Sequence, residues 1–599
     1  MYKKIALLLL VLLPFLFIII GYPIKGNSDK NKLYNSQRCF VVGNMKDYFT
    51  CSNKKIAGFA LIYKVVSEAN SVQYGFGYVL VIAVVGQLML LIFFVMKKIF
   101  TNYKHALLFF SLLLFLVLAS FWRVLTFGPW VDDAHLLWAS LYSISYSQWY
   151  YNHPGLPLEF LLLSHIFGTN YVLWQWTNIF IKVSVSFLVG QFIFKLTNKK
   201  KIAILAAIFF AVSYVGLEVV DSPIMNIAGI VAIPILLSLY YTISLFREGT
   251  NIKRSVGYFL LAFLLDPGRV FSVVLILPLL YMLVTKKRNK IQLSLSRTVF
   301  LFVVCIVLAS IFIVWFIHFE PNAQITQGIV GLFTHTNIYI TKLNRIGNMF
   351  AAIGNLFVGF FYTMKQDYQD TGYYDRLFGV TGFILFFVGL GCYVFFLKKQ
   401  GKKTLGIIGF LILWMFIFYL PNWFSEPRAP MAGGHRYLFL SSIGFVGLIA
   451  YIISLFKKKW IIVILSIVFI LLNIWRANQI LFWQNSYRSQ MVLDRLWSVV
   501  LETVPKSEKN DIFIFTGEQP WLSQSIQLFG ADRFLLLRRY SDRRLAPVFL
   551  NDSSKIFLYL CRKNDPIPLS HIYSWEVKSP GVLINKTQNI RTVLQSACP

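Results

Sequence analysis

A polytopic membrane protein built almost wholly of α-helices, with a small extracytoplasmic α/β domain at its carboxyl end, is the fold class this sequence predicts. Three observations predict it. The 599 residues are 57% hydrophobic and only 14% charged, far from the roughly 25% charged residues of soluble domains. Many windows reach the about 20 apolar residues that a helix needs to cross a bilayer. Basic residues recur beside those windows on every second connection, and after Trp475 the chain changes to short apolar runs separated by polar turns. The excess of 57 Lys and Arg over 25 Asp and Glu, a net charge of +32, therefore reports topology and no nucleic-acid partner. Low-complexity tracts, fixed-period repeats and zinc-type cysteine spacings are absent from the sequence.

About 13 crossings are expected on hydropathy and length. They lie near residues 4–22, 77–96, 106–127, 170–194, 202–218, 223–246, 255–268, 270–285, 298–317, 377–397, 404–421, 437–455 and 460–475. The first has a basic start and no small-residue cleavage site, and so reads as a retained anchor. Lys3 and Lys4, Lys97 to Lys104, Lys199 to Lys201, Arg247 to Arg254, Lys286 to Lys290, Lys398 to Lys403 and Lys457 to Lys459 mark one side as cytoplasmic. Among the connections between the first and last spans, Glu248 is the one acidic residue placed inside. The amino terminus is then cytoplasmic and the carboxyl terminus outside, in a plasma or inner membrane. The apolar stretch from Ile346 to Tyr362 breaks this parity as a lone crossing. It is expected to lie along or re-enter the outer face, and the alternative pairs it with 325–340 as two further crossings.

Cys39 and Cys51 share an outer loop and Cys561 and Cys598 share the outer tail, so two local disulfides compete with free thiols. Cys305 and Cys392 fall inside apolar spans. Residues 477–599 form the outer α/β domain: an amphipathic run from Tyr487 to Val504 precedes strand-like "DIFIFTG" and "KIFLYLC". Its cluster of Arg538, Arg539, Arg543 and Arg544 reads as a solvated basic face, ahead of a site for acidic headgroups or glycans. The chain divides into 1–104 (anchor, outer loop and second span), 105–476 (helical core with the large outer loop 128–169) and 477–599.

Carboxylates beside a bilayer are costly unless paired or working, so the outer loops hold the candidate sites. After the Gly128-Pro129 break, "GPWVDDAHLLW" places Asp132 and Asp133 just outside the membrane, where helix capping is an equal alternative. The loop continues through "SQWYYNHPGLPLEFLLLSHIFG", too interrupted to span but apolar enough to lie in the interface as a lid, with His153 ahead of Pro154 and Pro157. Asp221 follows in "LEVVDSPIMN", where capping again competes. "LLDPGRVF" carries Asp266 and Arg269, and Arg269 either pairs with Asp266 or meets a ligand phosphate. "EPRAPMAGGHRYLFL" carries Arg428, His435 and Arg436 before a span. Six of the 8 histidines, His135, His153, His165, His318, His335 and His435, share the outer side. A proton-relay transporter would place ionisable groups mid-span, and the spans carry almost none.

This order of features resembles the integral-membrane glycosyltransferases of the GT-C fold, which take a sugar from a polyprenyl-phosphate carrier, such as protein mannosyltransferases and lipid A aminoarabinose transferases. "WVDDAH" is similar to their acidic pair in the first large outer loop, and "NHPGLPLEFLLLSHIFG" to the interfacial helix that follows. "VVDSP" is similar to their further outer acid, and "DPGRVF" more loosely to the basic turn that meets the carrier phosphate. Two additional spans precede the acidic loop, so residues 1–104 stand outside the resemblance, which covers about 105–475 with motifs in its first half.

The resemblance implies sugar transfer at the outer face, from a polyprenyl-phosphate-linked donor to a glycan, lipid or protein acceptor. It implies Asp132 or Asp133 as the base, Asp132 ahead, and Asp221 orienting a divalent cation or the acceptor. Arg269, and after it Arg436, would neutralise phosphate oxygens, with His135 and His153 as further substrate contacts. Some relatives use a metal, although no spacing here implies one, and no Gly-rich loop for a nucleotide sugar is found. The competing readings are a transporter or flippase for a lipid-linked sugar and a nonenzymatic scaffold.

Overall fold

The computed structural model of the chain describes residues 103–128, 133, 155–167, 171–285, 342–358, 402–425, 435–488, 512–517, 569–578 and 582–597, with isolated residues between. The expected crossings at 4–22 and 77–96, all six cysteines, "KIFLYLC" and the arginine cluster at 538–544 lie outside the described residues, as do most of 298–317 and 377–397. What is described is mostly helical. Six helices are long and apolar enough to cross a membrane, Leu108–Thr126, Tyr171–Thr197, Pro223–Glu248, Pro267–Val284, Thr404–Trp423 and Lys459–Phe482, and they mark a membrane protein.

Three expected crossings are shorter than a bilayer core. Lys200–Val212, Ile252–Leu265 and Ser441–Ser454 have 13, 14 and 14 residues, or about 20 Å of helix against a hydrocarbon core of about 30 Å. The first stops because Ser213 turns to extended backbone and Gly216 takes φ +70, well before the apolar pattern ends at residue 218. At the other extreme, Lys459–Arg488 runs 30 residues, through the boundary expected at 477. Nothing in 476–488 breaks a helix, and a change from apolar to polar composition does not by itself end one. The stretch expected along the outer face forms a 17-residue helix, Lys342–Val358, that buries Ala351, Ala352, Ile353 and Leu356 and packs on Lys402–Ser425.

The chain divides into two compact units. One draws on Met89–Leu125 and Gln175–Phe482. In it Ile227–Glu248 packs on Ile252–Leu265 and Pro267–Thr285, and Ser441–Ser454 packs on Lys200–Val212 and Lys402–Ser425. Gly249, at φ +69, ends the helix that carries Glu248 and lets the chain reverse into the next. At that reversal Glu248 pairs with Lys195 at 3.1 Å, while Arg247 donates to the carbonyls of Lys195 and Leu196. Hydroxyls join the two arms, Ser238 donating to the Ser255 carbonyl at 3.0 Å and Thr242 meeting Ser255 Oγ at 2.6 Å. Trp414 anchors the core: its indole N–H donates to the Leu440 carbonyl at 2.9 Å and its ring stacks on Phe418. Outward, Lys459–Arg488 exposes Trp460, Val463, Ile467 and Leu471, a surface suited to lipid.

The other unit draws on Thr126–Trp174 and Trp483–Pro599. Its sheet has the order β1 (Ile512–Gly517), β2 (Ile572–Lys578) and β3 (Val582–Asn585), with β1 parallel and β3 antiparallel to β2. β1 falls on the expected "DIFIFTG". The helix Thr587–Ala597 covers β2 with Leu594 buried, and Thr587 Oγ1 receives the Ser574 N–H at 3.0 Å while Arg591 reaches the Ile572 carbonyl.

Gly444 permits a close helix approach, because a Cβ there would stand 2.7 Å from the Leu411 carbonyl oxygen and 2.8 Å from Trp414. Gly444→Val is expected to push these helices apart at a cost of about 1–3 kcal/mol. Thermal unfolding in detergent checks this, and an unchanged midpoint would contradict the close approach.

Candidate active site

In the unit that holds the outer loop, Asp133 is fully buried, and Oδ2 accepts a hydrogen bond from the Tyr171 hydroxyl at 2.7 Å. Tyr171 opens the Tyr171–Thr197 helix, and the preceding helix, Gly155–Phe167, carries the expected interfacial segment. Trp174 ties these parts together: its ring lies 4.8 Å from Phe160 and 6.1 Å from Phe167, centroid to centroid. Glu159 on the same helix is buried and close enough to Asp133 to feel its charge. Burial first, and the Asp133 charge second, push the Glu159 carboxyl well above the ordinary carboxylate range. The sequence reading passed over Glu159 although it sits in the quoted "GLPLEF". An acid in an otherwise apolar helix was the available signal.

The helical unit holds the other candidates. Asp221 closes the short helix Glu218–Asp221 and is buried. A chain of amides fixes that turn on the Tyr171–Thr197 helix. Asn226 donates to Asn178 at 2.7 Å, Asn178 donates to Gln175 and to the Val220 carbonyl, each at 3.2 Å, and Gln175 donates to the Asp221 carbonyl at 3.2 Å. Ser222 makes no side-chain cap to the turn Pro223–Asn226. Among the described residues no three His, Cys, Asp or Glu side chains gather as a metal site.

Arg269 and Arg436 both sit beside carboxylates. Asp266 opens the helix Pro267–Thr285, its Oδ1 receiving the Arg269 N–H at 3.2 Å while Oδ2 pairs with the Arg269 guanidinium. The pairing alternative for Arg269 is therefore what the geometry contains. Arg436 meets Glu218, its backbone N–H at 3.1 Å and guanidinium at 3.3 Å from Oε2. Gly216 makes this meeting possible: at φ +70 its Cα packs so close to Phe439 that a Cβ would stand 2.8 Å away. Arg269 lies within electrostatic range of Arg436 and Tyr437, so two of the expected phosphate ligands share one neighbourhood. Glu218 was not singled out from the sequence. Its burial would raise its pKa, but the charges of His435 and Arg436 and the hydrogen bonds from Arg436 outweigh that and hold it below the ordinary value.

Lys182 is an exception to the expectation that the spans carry almost no ionisable groups. Midway along Tyr171–Thr197 it is 2% exposed, with Nζ 3.5 Å from the Ser213 carbonyl and 4.1, 5.1 and 5.7 Å from the ring centroids of Phe210, Phe439 and Phe121. A single Lys inside "IFIKVSV" does not lower the hydropathy of a window enough to be noticed, and its aromatic cage comes from distant segments. Asp132, His135 and His153 lie outside the described residues. Comparisons of the chain with known family models, curated proteins and solved structures return no match.

His435 lies 3.9 Å from Glu218, and its Nδ1 accepts the Tyr437 N–H at 3.4 Å, which requires that nitrogen to be unprotonated. Burial, aided by Arg436 and opposed by Glu218, lowers its pKa to about 4. The ring is therefore neutral at pH 7. An unfolded His titrates near ~6.5. As pH falls from there toward about 4, the unfolded chain binds a proton that the folded chain refuses, and stability drops. His435→Gln is expected to flatten the thermal midpoint across this window, and a pH profile identical to wild type would contradict the assignment.

Proposed function

We propose that this protein is a membrane glycosyltransferase that moves a sugar from a polyprenyl-phosphate-linked donor to an acceptor at the extracytoplasmic face. The observation that carries the reading is Asp133, a buried carboxylate held by the Tyr171 hydroxyl at 2.7 Å in the loop that bears the GT-C-like acidic pair. The proposal keeps the GT-C resemblance, about 13 crossings, a cytoplasmic amino terminus and an outer carboxyl-terminal domain.

In this reading Asp133, or its neighbour Asp132, takes the proton of the acceptor hydroxyl while the acceptor oxygen bonds to the anomeric carbon. The bond from that carbon to the phosphate oxygen breaks, and polyprenyl phosphate leaves. Tyr171 fixes the carboxylate, so that its orientation does not have to be found during reaction. Asp221, held from behind by the amide chain, orients the acceptor. Arg269 and Arg436 neutralise the phosphate. The planar fork of a guanidinium matches the oxygens of a phosphate. His135 and His153 belong to the same proposal as substrate contacts. The apolar Gly155–Phe167 helix suits a donor whose tail stays in the bilayer.

The second reading, a carrier for a lipid-linked sugar, is favoured by Lys182, an ionisable group buried within a span. Separate Asp132→Asn and Asp133→Asn replacements, expressed in cells lacking the protein, distinguish the two. Mass analysis of lipid-linked sugars and glycans is expected to show transfer reduced about 10²- to 10⁴-fold for the variant that removes the base, with bound donor retained. Full transfer in both variants would contradict the proposal.

A further inference from the structure

Asp133, Glu218 and Asp266 each hold a hydroxyl, an amide or a guanidinium, whereas Glu159 holds none. With 9% of its surface exposed, it has both carboxyl oxygens buried and without a hydrogen-bond partner. An ionised carboxylate in that position would lack a hydrogen-bond donor, which a neutral carboxylic acid tolerates far better. The titratable groups that bear on it among the described residues are Asp133, whose negative charge disfavours a second one, and Tyr171, whose hydroxyl is directed to Asp133 and not to Glu159.

We propose that Asp133 and Glu159 form a carboxyl pair holding one proton, kept on Glu159, so that the single negative charge rests on Asp133. Glu159 is then a positioning residue: its burial and neutrality leave Asp133 as the ionised partner, oriented by Tyr171 and able to take a proton. The environments differ in the way that separates acid from base in other carboxyl pairs, one oxygen set receiving a donor and the other receiving none. As pH rises, ionisation of Glu159 places a second charge beside Asp133 and disturbs the pair. The role in transfer rests on the glycosyltransferase reading, whereas the place of the proton does not.

Infrared spectroscopy of the full-length protein in lipid nanodiscs at pH 7.5 tests the pair without any substrate. The expected result is a protonated-carboxyl C=O band that shifts on carbon-13 labelling of glutamate but not of aspartate, disappears in Glu159→Gln, and persists in Asp133→Asn. Absence of the band, or its survival in Glu159→Gln, overturns the proposal. The labelled wild-type protein keeps the test decisive even if a variant misfolds. If the protein transfers sugar, the alkaline fall of its rate–pH profile is expected to vanish in Glu159→Gln, and an unmoved profile would remove Glu159 from the reaction. A protein that shows the band but transfers no sugar would contradict the glycosyltransferase reading alone.

Discussion

A charge taken into the low-dielectric interior of a helical protein must find a counter-charge, a ring face or a proton, and these solutions account for how the described segments are held. Arg269 is compensated by Asp266, and Arg436 by Glu218. Lys182 takes the ring faces of three phenylalanines and one carbonyl. Removing one partner of a buried pair costs about 3–5 kcal/mol, because the other charge is left uncompensated. Pairing of Glu218 with Arg436, with Gly216 allowing the approach to Phe439, joins the turn's own hydrogen bonds in placing the short helix Glu218–Asp221.

The same constraint separates structural acids from reactive ones. Glu218 and Asp266 are held by guanidiniums, and lowering either carboxyl's negative charge would release an arginine. Asp133 accepts a hydrogen bond from a neutral hydroxyl, which orients it. A carboxylate kept charged, buried and aimed is suited to accept a proton, and its neighbour Glu159 has the opposite surroundings.

Long apolar periods made the main helices legible in the sequence, as Tyr171–Thr197, Ile227–Glu248 and Lys402–Ser425 show. Ends were legible only to within a few residues: helices expected to close at 246 and 268 close at Glu248, before Gly249, and at Leu265, before Asp266-Pro267. The early stop at Val212 was not, because it depends on Gly216 meeting Phe439, more than two hundred residues away in sequence. A search of the loops for costly charges reaches Asp133, Asp221 and Arg269, which the structure buries, and offers Asp266 as a partner for Arg269. The other partners it does not reach. Tyr171 and Glu218 stand at the ends of the apolar windows 170–194 and 202–218, and Lys182 disappears into an apolar average. Hydropathy reports how a window partitions, whereas a partner is a property of two windows brought together.

Reconstitution of the purified protein in proteoliposomes, with a polyprenyl-phosphate sugar in the leaflet that faces its carboxyl-terminal domain, measures the central claim most directly. The account expects polyprenyl phosphate to be released in step with the sugar leaving its carrier, and expects this release to depend on the acidic pair at 132–133. Movement of intact donor from one leaflet to the other, with the sugar–phosphate bond unbroken, would contradict it.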